Sequence, residues 1–401
     1  MQPPGAARGE FKNQAFRPLR VCKQVTNRTL TFDNRSHSVL YLSNIDGTES
    51  GIQQMNSPIG KAIGRHFVTM IVMSFLFAAL CPAQDSPLIS GAVGFVSTTS
   101  GGQTFFQPVI APVAVVPLGD KFLIESRADL RGFIARQNGN GDYHGQFFTT
   151  LEYGQLDYLV NPKLTISVGR YLTPFDTYNE RLTAIWVRNL PDSPLIYPIG
   201  TRTSGSSNGA MVRGVAASTS DWELNYSAYF SAASTVDQLQ SGRAAGMRAG
   251  IFLPKQQLEV GGSYQRYLQD THANVGGGYV WWVPTDLPVQ VRSEFAGSPQ
   301  GHGYWIEGAF RFSRKNQITS FVTRVQPVVR VQQFFRGTQV AGDALPPRDT
   351  NAADFGLNII LPQDLRLSSS YSRQFSSSGD VNVWNVALTY RFMLPLTGGR
   401  Q

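Results

Sequence analysis

The chain has 401 residues, 15 % of them charged, two cysteines and a formal net charge of +8. The cysteines, Cys22 and Cys81, both precede residue 85, so everything downstream can hold neither a disulfide scaffold nor a cysteine-ligated metal. The basic excess is also a front-end feature. Residues 1–84 take nine of the 35 basic and four of the 27 acidic residues, leaving net +3 and no electrostatic case for nucleic acid.

From Met1 to Gln54 no period of two or of 3.6 is sustained, and Pro, Asn, Arg and Ser are scattered throughout. Met55 then opens a tripartite layout: basic Lys61 and Arg65, an apolar run from Phe67 to Leu80, and small Ala83. That is the pattern of a secretory signal, and its apolar core is shorter than the ~20 residues a membrane-spanning helix needs. The expectation is therefore a signal peptide at 55–84 with Met55 as initiator. Residues 1–54 are expected to be a disordered, over-extended leader, and 85–401 the folded unit. Leu80 before Cys81 does not fit a lipoprotein signal.

Downstream of Asp85 the chain is rich in Gly, Ser, Tyr, Phe and Val, in segments of about ten residues that alternate apolar with polar, as transmembrane β-strands do. Sixteen candidate strands start near Ser90, Thr104, Phe122, Gln146, Leu164, Gly209, Trp222, Ala244, Leu258, Val275, Val289, Tyr304, Ile318, Asn351, Arg366 and Val381. In the third, Ile124, Ala128, Leu130 and Ile134 share one face, while Glu125, Arg127, Asp129 and Arg131 form a charged ladder on the other. The same polar parity places Arg248 in the eighth strand, Arg311 at the end of the twelfth, and Arg324 and Arg330 in the thirteenth. The last strand puts Val386, Leu388, Tyr390 and Phe392 on one face. Aromatic residues near strand ends (Trp281, Trp282, Tyr304, Trp305, Tyr390, Phe392) suit interfacial girdles.

Alternation alone would equally suit a soluble sandwich with one wet face. The connections discriminate. Joints after even-numbered strands are tight, as at Pro117–Asp120, Asn161–Lys163, Pro254–Gln256, Ser313–Asn316 and Pro362–Asp364. Most joints after odd strands are longer and rich in Gly and Ser. Short turns at one end and long loops at the other describe an antiparallel membrane barrel, and closure removes the exposed edges of so large a sheet. The fold expected is all-β: a transmembrane antiparallel barrel of about 16 strands.

The longest joint, from Leu172 to Asn208, follows the fifth strand. It holds Asp176, Glu180, Arg181, Arg188, Asp192 and Arg202, interleaved with Phe175, Tyr178 and Trp186. Connections this long are usually functional or disordered. The competing reading is an ordinary mobile surface loop.

The run from Leu151 to Pro198 resembles bacterial porins, loosely those of the phosphate-selective type, through Gly169-Arg170, Pro174-Phe175 and Asn179-Glu180-Arg181. The loop carries arginines and no lysine, unlike the lysine cluster of that type. What the resemblance implies is a Gram-negative outer-membrane channel for passive diffusion of small hydrophilic solutes, with no cofactor; the arginines that share the polar parity add at most a mild anion preference. The long loop would fold inward as the constriction (Asp176, Glu180, Arg181, Arg188, Asp192, Arg202), facing Arg127, Asp129 and Arg131. The wall would carry Glu125, Arg248, Arg311, Arg324 and Arg330 as well. The strand ending Tyr390-Arg391-Phe392 would be the insertion signal read by the barrel-assembly machinery. Outer-membrane lipid, and two further copies of the chain in a homotrimer, would be its partners. A structural reading of the wall arginines pairs them with Glu125, Asp129, Glu307 and loop acids. No Gly-x-Ser-x-Gly elbow, phosphate loop or paired histidine ligands appear, which argues against an enzyme; Gly276-Gly277-Gly278 is followed by neither Lys-Ser/Thr nor a helix. The main alternative is a non-conducting barrel with a structural or adhesive surface role.

Overall fold

The computed structural model describes residues 87–136, 141–201, 205–269, 272–312, 324–340, 342–377 and 379–395. The leader and signal segments expected at 1–84 lie outside this range. Among the described residues the chain forms sixteen strands: β1 Leu88–Ser100, β2 Gln103–Leu118, β3 Phe122–Arg136, β4 Tyr143–Asn161, β5 Leu164–Leu172, β6 Ser206–Ser218, β7 Glu223–Ala232, β8 Ala244–Leu253, β9 Leu258–Tyr267, β10 Asn274–Trp282, β11 Val289–Ser298, β12 Gly301–Phe310, β13 Arg324–Arg336, β14 Thr350–Ile360, β15 Leu365–Ser376 and β16 Val381–Pro395. Each pairs antiparallel with its sequence neighbours, and β1 pairs with β16, from Leu88 opposite Pro395 to Ser100 opposite Val383, to close the barrel.

Fifteen strand starts fall within three residues of the positions expected from alternation and turn chemistry. The sixteenth, Ile318, lies outside the described residues; β13 is described from Arg324. The last strand runs through Phe392 to Pro395. Joints with loops on the odd side follow β3, β5, β7 and β13, as expected. Three odd joints are tight instead: Gly101–Gly102, Pro299–Gln300 and Ser377–Asp380. The first has a physical reason, because Gly101 (φ 57°) and Gly102 (φ 79°) both adopt the left-handed conformation of a two-residue hairpin turn.

The two faces of the wall differ chemically. Large apolar side chains point outward along the strands, including Phe95, Ile110, Leu130, Val168, Ile251, Ile306, Phe355 and Leu388, all more than a third exposed. The opposite face is buried and polar: Arg127, Asp129, Asp157, Gln265, Glu294, Arg330 and Asn358 each expose less than a tenth of their surface. In a soluble sandwich this would be inside out; in a membrane barrel the apolar band meets lipid and the polar face the lumen. Two of the residues assigned to aromatic girdles do not fit that assignment. Trp305 is 1 % exposed and points inward against Tyr178, and Trp281 lies under Arg292 on the inner face. Both share the inward parity of Glu307 and Glu259's neighbour Tyr279, and in a closed sheet that parity overrides closeness to a strand end.

Candidate pore constriction

The segment between β5 and β6, described over 173–201 and at Gly205, turns inward and crosses the lumen. It is not the mobile surface loop of the competing reading. It forms two single helical turns, α1 Tyr178–Arg181 and α2 Tyr197–Thr201. A turn this short leaves backbone N–H groups with no partner inside the helix. The wall supplies one. Glu294 on β11 accepts hydrogen bonds from the N–H of Thr177 (2.7 Å), the N–H of Tyr178 (2.6 Å) and the Thr177 hydroxyl (2.7 Å), while its other oxygen accepts from the Trp305 indole (3.3 Å). Asn179 ties the neck of the loop, donating to the carbonyls of Thr173 and Gly205 at 2.8 and 2.7 Å.

From there the loop is anchored around the wall by charge. Arg181 forks onto Glu259 of β9 with bonds of 2.6 and 2.9 Å. Glu180 accepts a short bond from Arg248 of β8, which also donates to the Asp176 carbonyl. Asp192 is bound by Arg330 of β13 at 2.5 Å, and the same guanidinium reaches Asp354 of β14 at 2.7 Å. Arg188 donates to Ser193, and its carbonyl accepts from Arg366 of β15 at 2.6 Å. Asn189 fits between four strands: it donates to Glu307 (2.7 Å) and Gln290 (3.5 Å), accepts from Gln326 (3.4 Å), and gives its carbonyl to Asn358 (2.9 Å). On the far side Ala184, Ile185 and Trp186 pack with Val96, Val109, Val113 and Ala387 of β1, β2 and β16. The segment therefore touches opposite walls and narrows the space between them.

Glycines on the wall make the fit possible. A Cβ on Gly277 would overlap the Asp176 carboxylate, one on Gly356 would overlap Leu190, and one on Gly303 would crowd Ile196. Of the three consecutive glycines in β10, Gly277 thus has a packing role. Asp176 itself adopts φ 50°, and burial together with the nearby Glu294 carboxylate holds its carboxyl well above the usual carboxylate range, against the opposing pull of Ser263 and Arg248.

Placement of the expected site residues is mixed. Asp176, Glu180, Arg181, Arg188 and Asp192 all lie on the inward segment; Arg202 lies outside the described residues. Glu125, Arg127, Asp129, Arg131, Arg248 and Arg330 lie on the inner face, with Arg311 just past β12 and Arg324 opening β13. The expected opposition of loop charges to β3 is corrected, because Arg181 and Glu180 engage β9 and β8. On β3 and β4, Arg127 pairs with Glu152, Arg131 with Asp129 (2.9 Å), and Gln155 donates to Glu125 (3.3 Å). Val386, Leu388 and Tyr390 face outward, all more than a third exposed, and Phe392 shares their parity. The sequence reading missed Asn189, Glu259, Glu294, Asp354, Asn358 and Arg366. The inward parity of the five strand residues among them was legible, but the bonds that hold the segment join positions up to 180 residues apart. Among the described residues no group of three His, Cys, Asp or Glu side chains is placed to share a metal.

No family model and no curated protein matches the chain. Among solved structures it is similar to OmpF of Salmonella typhi in complex with daunomycin, at 13 % identity and TM-score 0.48, over 76 % of this chain and 97 % of that one. It is similar to OprB of Pseudomonas putida at low pH, at 10 % identity and TM-score 0.47, over 77 % and 91 %. It is similar also to a loop L8 deletion mutant of OmpT, an outer membrane protein of Vibrio cholerae, at 10 % identity and TM-score 0.45, over 77 % and 100 %. The architecture itself rests on the strand register.

Proposed function

We propose that the protein is an outer-membrane porin through which small hydrophilic solutes diffuse passively, filtered by size and charge at the inward Thr173–Gly205 segment. The observation that carries this reading is the segregation of the wall. A sixteen-strand barrel with an apolar outside and a charged inside is wide enough for an aqueous channel. One segment, held by ion pairs on β8, β9 and β13, narrows it. The side chains of Arg181 and Arg213 keep 23 % and 27 % of their surface open to solvent, while Glu125 is half-buried, so a wet path with both charge signs runs beside β3–β9. Such mixed charge orients water across the opening and disfavours apolar solutes.

The porin resemblance in Leu151–Pro198 adds to this reading. The absence of lysine from the loop weighs against phosphate selectivity. Insertion by the barrel-assembly machinery, guided by Val386, Leu388, Tyr390 and Phe392, and assembly as a homotrimer belong to the same proposal. So does a mild anion preference. Swelling of liposomes loaded with the purified protein tests it. Small sugars should enter and rates should fall steeply with solute size; absence of swelling with every solute would favour a non-conducting surface barrel.

A further inference from the structure

The ion pairs that hold the segment consume most interior charges, but one sector has a surplus. At the end of the barrel where the β10–β11 and β14–β15 turns lie, the inner face carries Arg292 (β11), Arg311 (just after β12), Arg324 (first residue of β13) and Arg366 (β15). The register sets them side by side. Phe312 bridges Val325, which puts Arg311 next to Gln326 and diagonal to Arg324, and Arg324 and Arg366 both pair with Ile360 of β14. Arg292 is within electrostatic reach of Arg311, Arg311 of Arg324, and Arg366 of both Arg292 and Arg188.

Acidic compensation in this sector is thin. Glu307 lies 3.8 Å from Arg292 and already accepts from Asn189. Asp354 is deeper and held by Arg330, and Asp286 and Asp364 are exposed in the turns. The other contacts are to neutral groups. Arg311 donates to Gln290 (3.2 Å), and Arg366 donates to the carbonyls of Trp186, Arg188 and Asn189 and to Asn358. Arg292 lies 4.3 Å over the face of Trp281, its side chain 7 % exposed, and its Nε and Nη1 have no hydrogen-bond partner among the described residues. Burying several guanidiniums beside one carboxylate is unfavourable unless further anionic charge is supplied. Arg311, Arg324 and Arg366 are only half-buried, so a solute in the lumen can reach them.

We propose that Arg292, Arg311 and Arg324, backed by Arg366, form an anion station at this end of the lumen that binds small multivalent oxyanions. Guanidinium forks match the paired oxygens of carboxylate and phosphate groups, and adjacent forks favour a solute that carries more than one such group. The station deepens the porin reading by naming a solute class, and it rests on that reading for its transport role.

The test is isothermal titration of the full chain, purified in detergent at low ionic strength, with sodium citrate and separately with inorganic phosphate. The expected result is saturable binding of at least one of them. It should weaken tenfold or more in the double variant Arg311→Gln with Arg324→Gln, and stay unchanged in Lys255→Gln, whose side chain is 68 % exposed in the β8–β9 turn and paired with Asp221 of the β6–β7 turn. Retained heat-modifiable gel migration shows that the double variant is folded, and Arg324→Gln alone should give an intermediate loss. No saturable binding of either anion, or equal affinity in the folded double variant, overturns the station. Conductance of the same preparation separates the two proposals. Binding without conductance leaves the station and removes the pore; conductance without binding does the reverse.

Discussion

Arg181 on the inward segment and Glu259 on β9 are joined by two parallel hydrogen bonds of 2.6 and 2.9 Å, and the Arg181 guanidinium lies 5.4 Å from the centre of the Trp281 ring. The carboxylate is more buried than the guanidinium, with 9 % of its side chain exposed against 23 %. Breaking the pair from the arginine side therefore leaves a buried negative charge. Arg181→Ala should cost about 1–2 kcal/mol, discounted for the partial exposure of Arg181, and Glu259→Gln less. Urea unfolding in detergent measures both, and the double variant should show non-additivity. Fully additive losses would mean that the pair does not hold the segment.

Gly277 offers a sharper test of docking. Gly277→Ala places a methyl against the Asp176 carboxylate, whereas a methyl on neighbouring Gly276 meets nothing within 4 Å. The first substitution should loosen the segment and make it cleavable by protease added to intact proteoliposomes. The second should behave as wild type. Equal protease resistance in both would contradict the docked arrangement.

Asn189 distributes its amide and carbonyl among Glu307, Gln290, Gln326 and Asn358. Asn189→Ala removes the amide and leaves buried partners unsatisfied, at a cost of about 1–3 kcal/mol. Asn189→Asp should be worse, because it sets a carboxylate against Glu307. A midpoint shift in thermal unfolding that is larger for Asp than for Ala is the expected pattern.

The raised carboxyl of Asp176 gives a pH dependence with a definite sign. A carboxyl whose folded value is raised favours the folded state while protonated. That contribution is present below the ordinary carboxylate range and is lost as pH rises through the elevated folded value. Docking of the segment should therefore loosen as pH rises through that window, and Asp176→Asn should flatten the dependence. Protease sensitivity measured against pH reads it, and a profile unchanged by Asp176→Asn would refute the assignment.

The barrel was legible because its signals are local. Alternation sets which side chains face lipid, and Gly, Pro, Asn and Asp mark the turns, so strands such as β5, β8, β9 and β16 begin at the expected residue. The ladder Glu125, Arg127, Asp129, Arg131 was placed inward by the same logic. Parity also contained the correct answer for Trp305, which was misread because nearness to a strand end was given more weight. The docking of the inward segment was not legible. Which carboxylate receives Arg181, which glycine admits Asp176, and which four strands meet Asn189 depend on the depth and angle at which one connection enters a closed cylinder. No local pattern encodes these.

Single-channel recording in planar bilayers decides whether this is a water-filled barrel narrowed by a segment that ion pairs hold in place. Steady conductance steps are expected for the wild type. Larger and noisier steps are expected when Glu180→Ala and Arg181→Ala remove the anchors on β8 and β9. A detergent-soluble, heat-modifiable barrel that inserts yet never conducts, in either form, would contradict it.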